Sequence, residues 1–306
     1  MDLLPTALDG HYLHPRFAAA WLRARRGEVA FVEACTARST PGFLSALSSH
    51  GFDVAQVRWV IVTHAHLDHA GGAAALMRAC PNATLLAHPR AARHLIDPSR
   101  LVAGVRAVYG DARFEALYGD VEPIDASRVR SLDDGAEVAL GDVTLRAVHA
   151  RGHANHHMIV VDPSASAVFT GDAFGLVYPA LQRGGRLALA STSPTDFDHA
   201  AARDVVDRIA GLGVERACLT HYGDVTDLDV VAAQLRRWLD GSEALRREVV
   251  GRDRDAALSH VRGGLDAMLR DVARDAGVTL DGEGLALLEL DLALNAQGIV
   301  HAAGRG

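Results

Sequence analysis

The stretch from Ile61 to Gly72, IVTHAHLDHAGG, places three imidazoles and one carboxylate within six consecutive positions. The apolar run VRWVIV, residues 57 to 62, leads into it and predicts a buried strand that ends at the histidines. Alternate residues of an extended chain share a side, so we expect His64 and His66 to point the same way. Asp68 and His69 fall where a helix should start and should aim back toward them. The sequence therefore predicts four donors at one place.

The chemistry of these donors is that of a metal site. Neutral imidazole nitrogen and carboxylate oxygen are common ligands of zinc, iron and manganese. A single histidine in such a loop is usually only a polar surface residue, but the spacing H-x-H-x-D-H behind an apolar strand is typical of a metal centre. The glycines that follow should let the next helix pack closely against the loop. One loop cannot close the coordination of two ions, so further donors are expected elsewhere.

Three later apolar runs also end in a residue that can bind a metal. They lead to His153, Asp172 and His221. Alone, Asp172 would be interpreted as a turn or cap residue and His221 as a core histidine. Their order behind the cluster favours a shared site. The neighbouring histidines are alternative ligands, but His153 has the better position, in the turn; the alternatives are His149, His156 and His157.

These motifs closely resemble the metallo-β-lactamase-fold hydrolases, and among them the glyoxalase II-like branch, which keeps the Asp-His pair. The resemblance extends from about Val29 to Gly223. It implies an α+β fold, a four-layer αββα sandwich with the metals at the edge where the two sheets meet. The motifs that carry it are His64-x-His66-x-Asp68-His69, Gly152-His153, Gly171-Asp172 and Thr220-His221.

The resemblance also implies a ligand set for two divalent ions, zinc in the first instance, with manganese or iron as alternatives. His64, His66 and His153 would hold one ion, Asp68, His69 and His221 would hold the other, and Asp172 would bridge them. Glu33 stands where the family often has an Asp-x-Gly turn. We expect it to orient a ligand imidazole through a hydrogen bond, with an ordinary strand-end acid as the alternative.

The activity expected from such a site is hydrolysis. Two cations roughly 3.5 to 4 Å apart make hydroxide available at neutral pH, which would attack an ester, thioester or lactone of a small molecule. Asp172 would position the nucleophile and Asp68 would transfer a proton, so both are predicted catalytic residues. The persulfide dioxygenases, oxidoreductases with a single iron, share the H-x-H-x-D-H motif and are the alternative function.

The aromatic residues that follow two of the ligands are candidates for a substrate pocket. They are Phe174, Tyr178 and Tyr222. Packing in the core is the alternative interpretation.

Composition restricts the class of protein. The 306 residues are 49% hydrophobic and carry a formal net charge of −7, with no basic run, which argues against a nucleic-acid partner. No segment is apolar enough for a membrane helix and no signal sequence is recognised, so we expect a cytoplasmic protein. Cys35, Cys80 and Cys218 are too scattered for a disulfide framework and are expected as core thiols.

Periodicity gives the remaining organisation. A domain over residues 1–250 should be followed by a helical extension over 251–306, whose apolar positions, Ala256 to Leu294, should cover the domain or a second subunit in a homodimer. The run LALLELDLAL, 285–294, fits a strand or a helix. A hairpin is predicted at 18–24 and 29–34. Further strands are predicted at 57–62, 84–87, 137–140, 143–149, 157–161, 167–170 and 217–220. Helices are predicted from Thr40, at 71–80, within 89–119, from the Ser193 cap, at 227–239 and at 256–276.

Overall fold

The histidine-rich loop follows the fourth strand of a six-stranded sheet. The structure, a computed structural model, describes residues 1–192 and 196–305. This first sheet has the order β1-β2-β3-β4-β5-β6; β1 to β3 pair antiparallel and β3 to β6 pair parallel. Its strands are β1 Leu3–Asp9, β2 Ala19–Arg25, β3 Glu28–Val32, β4 Val57–Ile61, β5 Thr84–Ala87 and β6 Val129–Ser131.

Parallel pairing decides where the chemistry lies. The carboxyl ends of β3, β4 and β5 meet at one edge of the sheet, so Glu33, the histidine-rich loop and His88 all emerge there. The antiparallel strand β2 begins at the same edge. The fold therefore brings residues that are distant in sequence to one line of strand ends.

A second six-stranded sheet has the order β12-β11-β10-β9-β8-β7. Strands β10 and β11 are parallel, so the carboxyl ends of both lie at one edge, with Asp172 directly after β10 and His221 two residues after β11. The strands are β7 Glu137–Leu140, β8 Val143–His149, β9 Met158–Asp162, β10 Ala167–Gly171, β11 Arg216–Leu219 and β12 Gly223–Val225.

The core lies between the two sheets. Alternate residues of the first sheet, among them Trp21 and Ile61, pack with Phe169 and Met158 of the second. The Trp21 and Phe169 rings meet edge to face with centroids 6.1 Å apart. Each Trp21 and Phe169 side chain is almost fully buried, so this contact contributes to holding the sheets together.

The chain divides into two units by its internal contacts. The first contains both sheets, except for the last residue of β12, and helices α1 Thr40–Ser49, α2 Leu67–Ala70, α3 Ala73–Ala79, α4 Pro89–Ile96, α5 Ser99–Tyr109 and α6 Asp111–Tyr118. The second contains α7 His199–Ala210, α8 Leu228–Glu248, α9 Arg254–Asp275, α10 Gly282–Leu287 and α11 Glu289–Ala303. The first comprises Met1–His149, His156–Gly171 and Val214–Asp224, and the second Ala150–Asn155, Asp172–Gly213 and Val225–Gly306.

Within the second unit, α11 is tied to the segment that precedes α7. Asn295 is buried, accepts a hydrogen bond from the Thr192 amide at 2.7 Å, and donates one to the Ala190 carbonyl at 3.0 Å. The boundary predicted at residue 250 lies between α8 and α9, both in this unit, and stays a prediction. None of the described helices combines the length and the apolarity that a membrane span requires.

Most predicted elements are present within one or two residues, but several boundaries differ. Helix α7 begins at His199 after its cap Asp198, whose side chain accepts from the Ala201 amide, whereas the predicted Ser193 cap lies outside the described residues. LALLELDLAL is helical except at Leu288, which separates α10 from α11. Strand β1, at the sheet edge, was not predicted; it contains Pro5, which an edge strand tolerates.

Candidate metal centre

A buried carboxylate, that of Glu33, lies at the centre of the site in the first unit. Its side chain accepts hydrogen bonds from the Thr63 hydroxyl, from the Thr63 amide at 3.4 Å and from the Thr220 hydroxyl at 3.4 Å. It also accepts from Nδ1 of His69 at 3.2 Å. Glu33 has a left-handed backbone conformation, φ +71°, which a non-glycine residue adopts only where its surroundings enforce it. The predicted contact between Glu33 and a ligand imidazole is present.

These hydrogen bonds fix the tautomers of two imidazoles. An ionised carboxylate can only accept, so His69 must carry its proton on Nδ1. Thr63 gives its hydroxyl hydrogen to Glu33, and its Oγ1 is therefore an acceptor for Nδ1 of His64 at 3.0 Å. In both neutral rings the lone pair then belongs to Nε2, which is the form that binds a metal ion.

His221 is oriented in the same way by a backbone group. Its Nδ1 lies 2.8 Å from the carbonyl oxygen of Phe17, and a carbonyl oxygen only accepts. The Phe17 ring also contacts the imidazole edge to face, with centroids 5.6 Å apart. Nε2 of His221 is therefore the lone-pair nitrogen, and it lies 3.4 Å from Oδ2 of Asp68.

The geometry of Asp68, His69 and His221 fits a divalent ion. Their candidate ligand atoms all lie within 4.8 Å of one another. Two atoms bound to one tetrahedral zinc ion lie roughly 3.3 to 3.6 Å apart, close to the separation between His221 and Asp68. A lone-pair nitrogen and a carboxylate oxygen at this distance repel each other unless a cation or a proton lies between them. The donor set is therefore suited to zinc, manganese or iron.

His64 and His66 emerge from the same loop. Their ring centroids are 4.4 Å apart, and those of His64 and His69 are 4.1 Å apart. A Cβ at Gly72 would lie only 2.3 Å from the Ala34 carbonyl oxygen, so the helix packs closely against the segment that follows β3. Any side chain at position 72 would push the helix away from that segment, and close packing against the histidine-rich loop itself stays a prediction.

The second unit contains the two remaining predicted ligands as a pair. Nε2 of His153 lies 3.2 Å from Oδ2 of Asp172, and both side chains are buried. Nδ1 of His153 is 3.5 Å from the carbonyl oxygen of Ser191, which again leaves the lone pair on Nε2. The predicted sharing of one site by all seven ligands stays a prediction.

Of the alternative histidine ligands, His149 has another environment, whereas the rings of His156 and His157 lie beside that of His64. Nε2 of His149 lies 2.9 Å from the Leu132 carbonyl oxygen, and its ring contacts that of His88. His156 accepts a hydrogen bond at Nδ1 from the Ala65 amide, between two predicted ligands, at 3.3 Å. His157 is buried with its ring centroid 4.8 Å from that of His64.

His88 carries a pH-dependent contribution to stability. Burial, together with the nearby His149, lowers its pKa to about 4, and its Nδ1 caps α4 by accepting from the Arg90 amide at 3.0 Å. Because the unfolded chain takes up this proton near pH 6.5, the contribution is complete above that value and is lost as pH falls toward 4, by at most about 3 kcal/mol.

We therefore expect His88→Asn, which keeps a capping side chain but does not titrate, to lose less stability than the wild type between pH 6.5 and pH 4. Urea titrations of both chelator-treated proteins at several pH values measure the difference. If the difference in unfolding free energy between the wild type and His88→Asn does not change with pH, His88 is not the source of the pH-dependent stability.

The predicted pocket aromatics have different surroundings. Phe174 has no exposed surface, and the Tyr178 hydroxyl donates to Oδ1 of Asp291 at 3.3 Å. Tyr222 is half-buried beneath the Arg16 guanidinium, which lies 5.5 Å from its ring centroid. Packing therefore accounts for Phe174 in this structure, and the role of all three in substrate binding stays a prediction.

Three supporting residues were not found from the sequence. Thr63 and Thr220 each precede a predicted ligand, and both hydroxyls reach Glu33. The repeated Thr-His pair was the available signal. Phe17 acts through its backbone carbonyl, so its side-chain identity gave no indication of this role.

Glu33→Ala should weaken metal binding, because it leaves His69 and Thr63 without their acceptor. We expect a loss of affinity of about 10- to 100-fold, measured by competition with a chromophoric chelator. Glu33→Gln, which keeps an acceptor oxygen, should lose less. Glu137→Ala, an exposed acid on β7, is the control. Unchanged affinity in Glu33→Ala would show that the carboxylate does not support the ligands.

Comparison with known proteins identifies a family and several relatives. The family model of the metallo-beta-lactamase superfamily matches residues 15–221. The metallo-beta-lactamase fold-containing protein ST1585 of Sulfurisphaera tokodaii is 29% identical over 125 residues, 39% of this chain and 46% of the relative. The atrochrysone carboxyl ACP thioesterase of Emericella nidulans is 31% identical over 113 residues, 37% of this chain and 26% of the relative. The aligned regions thus span less than half of these relatives.

Solved structures show the same fold over nearly the whole chain. ST1585, in a structure described as from Sulfolobus tokodaii, superposes with a TM-score of 0.65 at 19% identity, covering 96% of this chain and 97% of that one. TTHA1429 from Thermus thermophilus superposes with a TM-score of 0.63 at 18% identity, covering 97% and 91%. The predicted α+β fold with a helical C-terminal region is confirmed. Because the family model matches more than half of its length, the chain belongs to the metallo-β-lactamase superfamily.

Proposed function

We propose that this protein is a dinuclear metal-dependent hydrolase of the glyoxalase II-like branch, which cleaves an ester, thioester or lactone of a small molecule. The observation that carries the proposal is the set of hydrogen bonds at Nδ1 of three imidazoles in the first unit, from which their tautomers are inferred. Three imidazoles each donate from Nδ1 to an acceptor and therefore present Nε2 lone pairs, two of them beside Asp68. Lone pairs that face a carboxylate oxygen repel it unless a cation or a proton lies between them, which favours a bound cation here.

The ligand assignment combines this geometry with the motif order. We propose that His64, His66 and His153 hold one ion, that Asp68, His69 and His221 hold the other, and that Asp172 bridges them. The Asp68 group in the first unit and the His153–Asp172 pair in the second support it separately. Zinc suits these donors best, and manganese or iron are alternatives.

When bound, the two ions would supply a hydroxide nucleophile at neutral pH and polarise the substrate carbonyl. The protein supplies orientation and proton transfer. Asp172 is buried, which limits its rotation and suits it to positioning the nucleophile. Asp68 has a side chain that is 26% exposed, against 5% for His221, so its carboxylate is better placed to exchange a proton with a leaving group.

The class of scissile bond is supported by a relative. The Emericella nidulans protein is named a thioesterase and is similar to this chain over 113 residues. A thioester has a carbonyl that a hydroxide can attack, in common with esters and lactones. We therefore propose an acyl bond in preference to a phosphoester. Phe174, Tyr178 and Tyr222 remain predicted substrate contacts.

A substrate panel tests the proposal. The purified protein is assayed with thioesters, esters, lactones and phosphoesters, before and after treatment with a strong chelator. We expect turnover of at least one acyl substrate, loss with the chelator and recovery with zinc or manganese. Turnover of phosphoesters alone would contradict the acyl class. Iron-dependent oxygen uptake with a persulfide would favour the dioxygenase alternative. A cytoplasmic location and a homodimer stay predictions.

A further inference from the structure

The segment from 10 to 18, here called the 10–18 loop, joins β1 to β2 and reaches His221. The end of β1 pairs with the start of β2 through Asp9 and Ala19. The Ala19 amide donates to the Thr220 carbonyl at 2.8 Å, and the Phe17 carbonyl accepts from Nδ1 of His221 at 2.8 Å. The first residue of β2 therefore holds the backbone before this predicted ligand, and the 10–18 loop holds its ring.

The conformation of the loop is unusual and must be enforced. His11, Leu13 and Arg16 have φ values of 48°, 59° and 59°, in the left-handed region that favours glycine. The carboxylate of Asp9 holds two of these residues by their amides. Its Oδ1 accepts from the His11 amide at 2.9 Å and its Oδ2 from the Arg16 amide at 2.9 Å. Asp9 thus stabilises the strained loop near both of its ends, at His11 and at Arg16.

We propose that Asp9 is a positioning residue for the metal ligand His221. Arg16 and Phe17 are adjacent, so the hydrogen bond from Asp9 to the Arg16 amide restricts where the Phe17 carbonyl can lie. That carbonyl in turn fixes the proton of His221 on Nδ1 and directs Nε2 toward Asp68. The inference rests on the proposed function, because it takes His221 as a ligand of one of the two ions.

A second tether makes the inference testable without unfolding the loop. The Tyr12 hydroxyl lies 3.1 Å from the Tyr118 hydroxyl, and the two rings stack with centroids 5.9 Å apart. Both residues are buried. The loop should therefore stay attached to α6 when Asp9 is replaced, while the precise position of the Phe17 carbonyl is relaxed.

A matched control lies at the other end of the same hairpin. Oδ1 of Asp2 accepts from the amide of Arg26, another left-handed residue with φ 51°, at 2.8 Å. Asp2 thus performs the same local task as Asp9 beside the β2–β3 turn. Asp2→Ala should destabilise that turn without changing His221.

The experiment compares Asp9→Ala, Asp9→Asn and Asp2→Ala by two readouts. Cobalt titration of the chelator-treated proteins measures the affinity of each ion. Long-range ¹H–¹⁵N NMR of the metal-free proteins measures the tautomer of His221. We expect Asp9→Ala to lower the affinity for one ion about 10-fold or more and to leave the affinity for the other within about 2-fold of the wild type. The variant should also populate both tautomers of His221. Asp9→Asn, which keeps one acceptor oxygen, should have an affinity between those of the wild type and Asp9→Ala. Asp2→Ala should resemble the wild type in both readouts.

Two results would overturn the inference. One is a His221 ring that keeps a single Nδ1–H tautomer in Asp9→Ala with unchanged affinity for both ions. The other is an equal loss of affinity for both ions together with a lower melting temperature of the metal-free variant. That result would make Asp9 a general structural residue. The tautomer is read without metal, so a wild type that binds no ion would contradict the proposed function and leave this readout valid.

Discussion

Asp172→Ala should lose metal and turnover together, with turnover reduced about 100-fold or more. Asp172 is the proposed bridge between the two ions, so removing its carboxylate takes a ligand from each. It is buried, and its Oδ2 lies 3.2 Å from Nε2 of His153. Elemental analysis gives the metal content and the acyl substrate found in the panel gives the rate.

Two further variants, one that keeps the size of the side chain and one that serves as a control, help to interpret this result. Asp172→Asn keeps the size of the side chain but removes its charge, so it should retain more metal than Asp172→Ala while turning over slowly. Asp229→Ala removes an exposed aspartate of the same unit and should change neither quantity. Full metal loading of Asp172→Ala with a near-normal rate would disprove the bridging assignment.

Arg23→Met should destabilise the protein by about 3 to 5 kcal/mol, the cost typical of breaking a buried ion pair. Nε of Arg23, on β2, donates to Oδ2 of Asp162 at 2.7 Å, and the side chains are only 3% and 0% exposed. Asp162 ends β9 in the other sheet. The variant leaves its carboxylate buried without its cation, and urea titration followed by tryptophan fluorescence measures the loss.

The neighbouring arginine provides the control. Arg25, two residues along β2, pairs with Asp2 and Asp142, but its side chain is 33% exposed and solvent screens these pairs, so Arg25→Met should cost much less than Arg23→Met. The double variant Arg23→Met with Asp162→Leu should recover much of the loss, because it removes both buried charges. Equal destabilisation by Arg23→Met and Arg25→Met would show that the buried pair has no special role.

The parts of the fold that the sequence predicted were those with strong local patterns. VRWVIV indicated a buried strand and is β4, and the hairpin around Gly27 is β2 and β3. The ligand-rich loop was recognised because H-x-H-x-D-H is compact. Within the first unit, Asp68, His69 and His221 lie together although His221 is far away in the chain, because β4 and β11 each end near the site.

The parts that the sequence did not predict depend on tertiary contacts. The Phe17 carbonyl and Asp9 act through the backbone, which no side-chain pattern reveals. Arg23 looks like a surface residue of a strand until the second sheet covers it. Phe174 and Tyr178, candidates for a pocket because they follow a ligand, are almost fully buried, and their role in substrate binding stays a prediction.

The most direct test of the account is the number of metal equivalents per chain. The protein is stripped with a strong chelator, reloaded with zinc and analysed for bound metal, in parallel with His64→Ala and His221→Ala. We expect two equivalents in the wild type and loss of chiefly one in each variant, with a lower melting temperature whenever metal is removed. A wild type that binds no zinc, and melts at the same temperature with and without chelator, would contradict the proposal that IVTHAHLDHAGG is part of a metal centre.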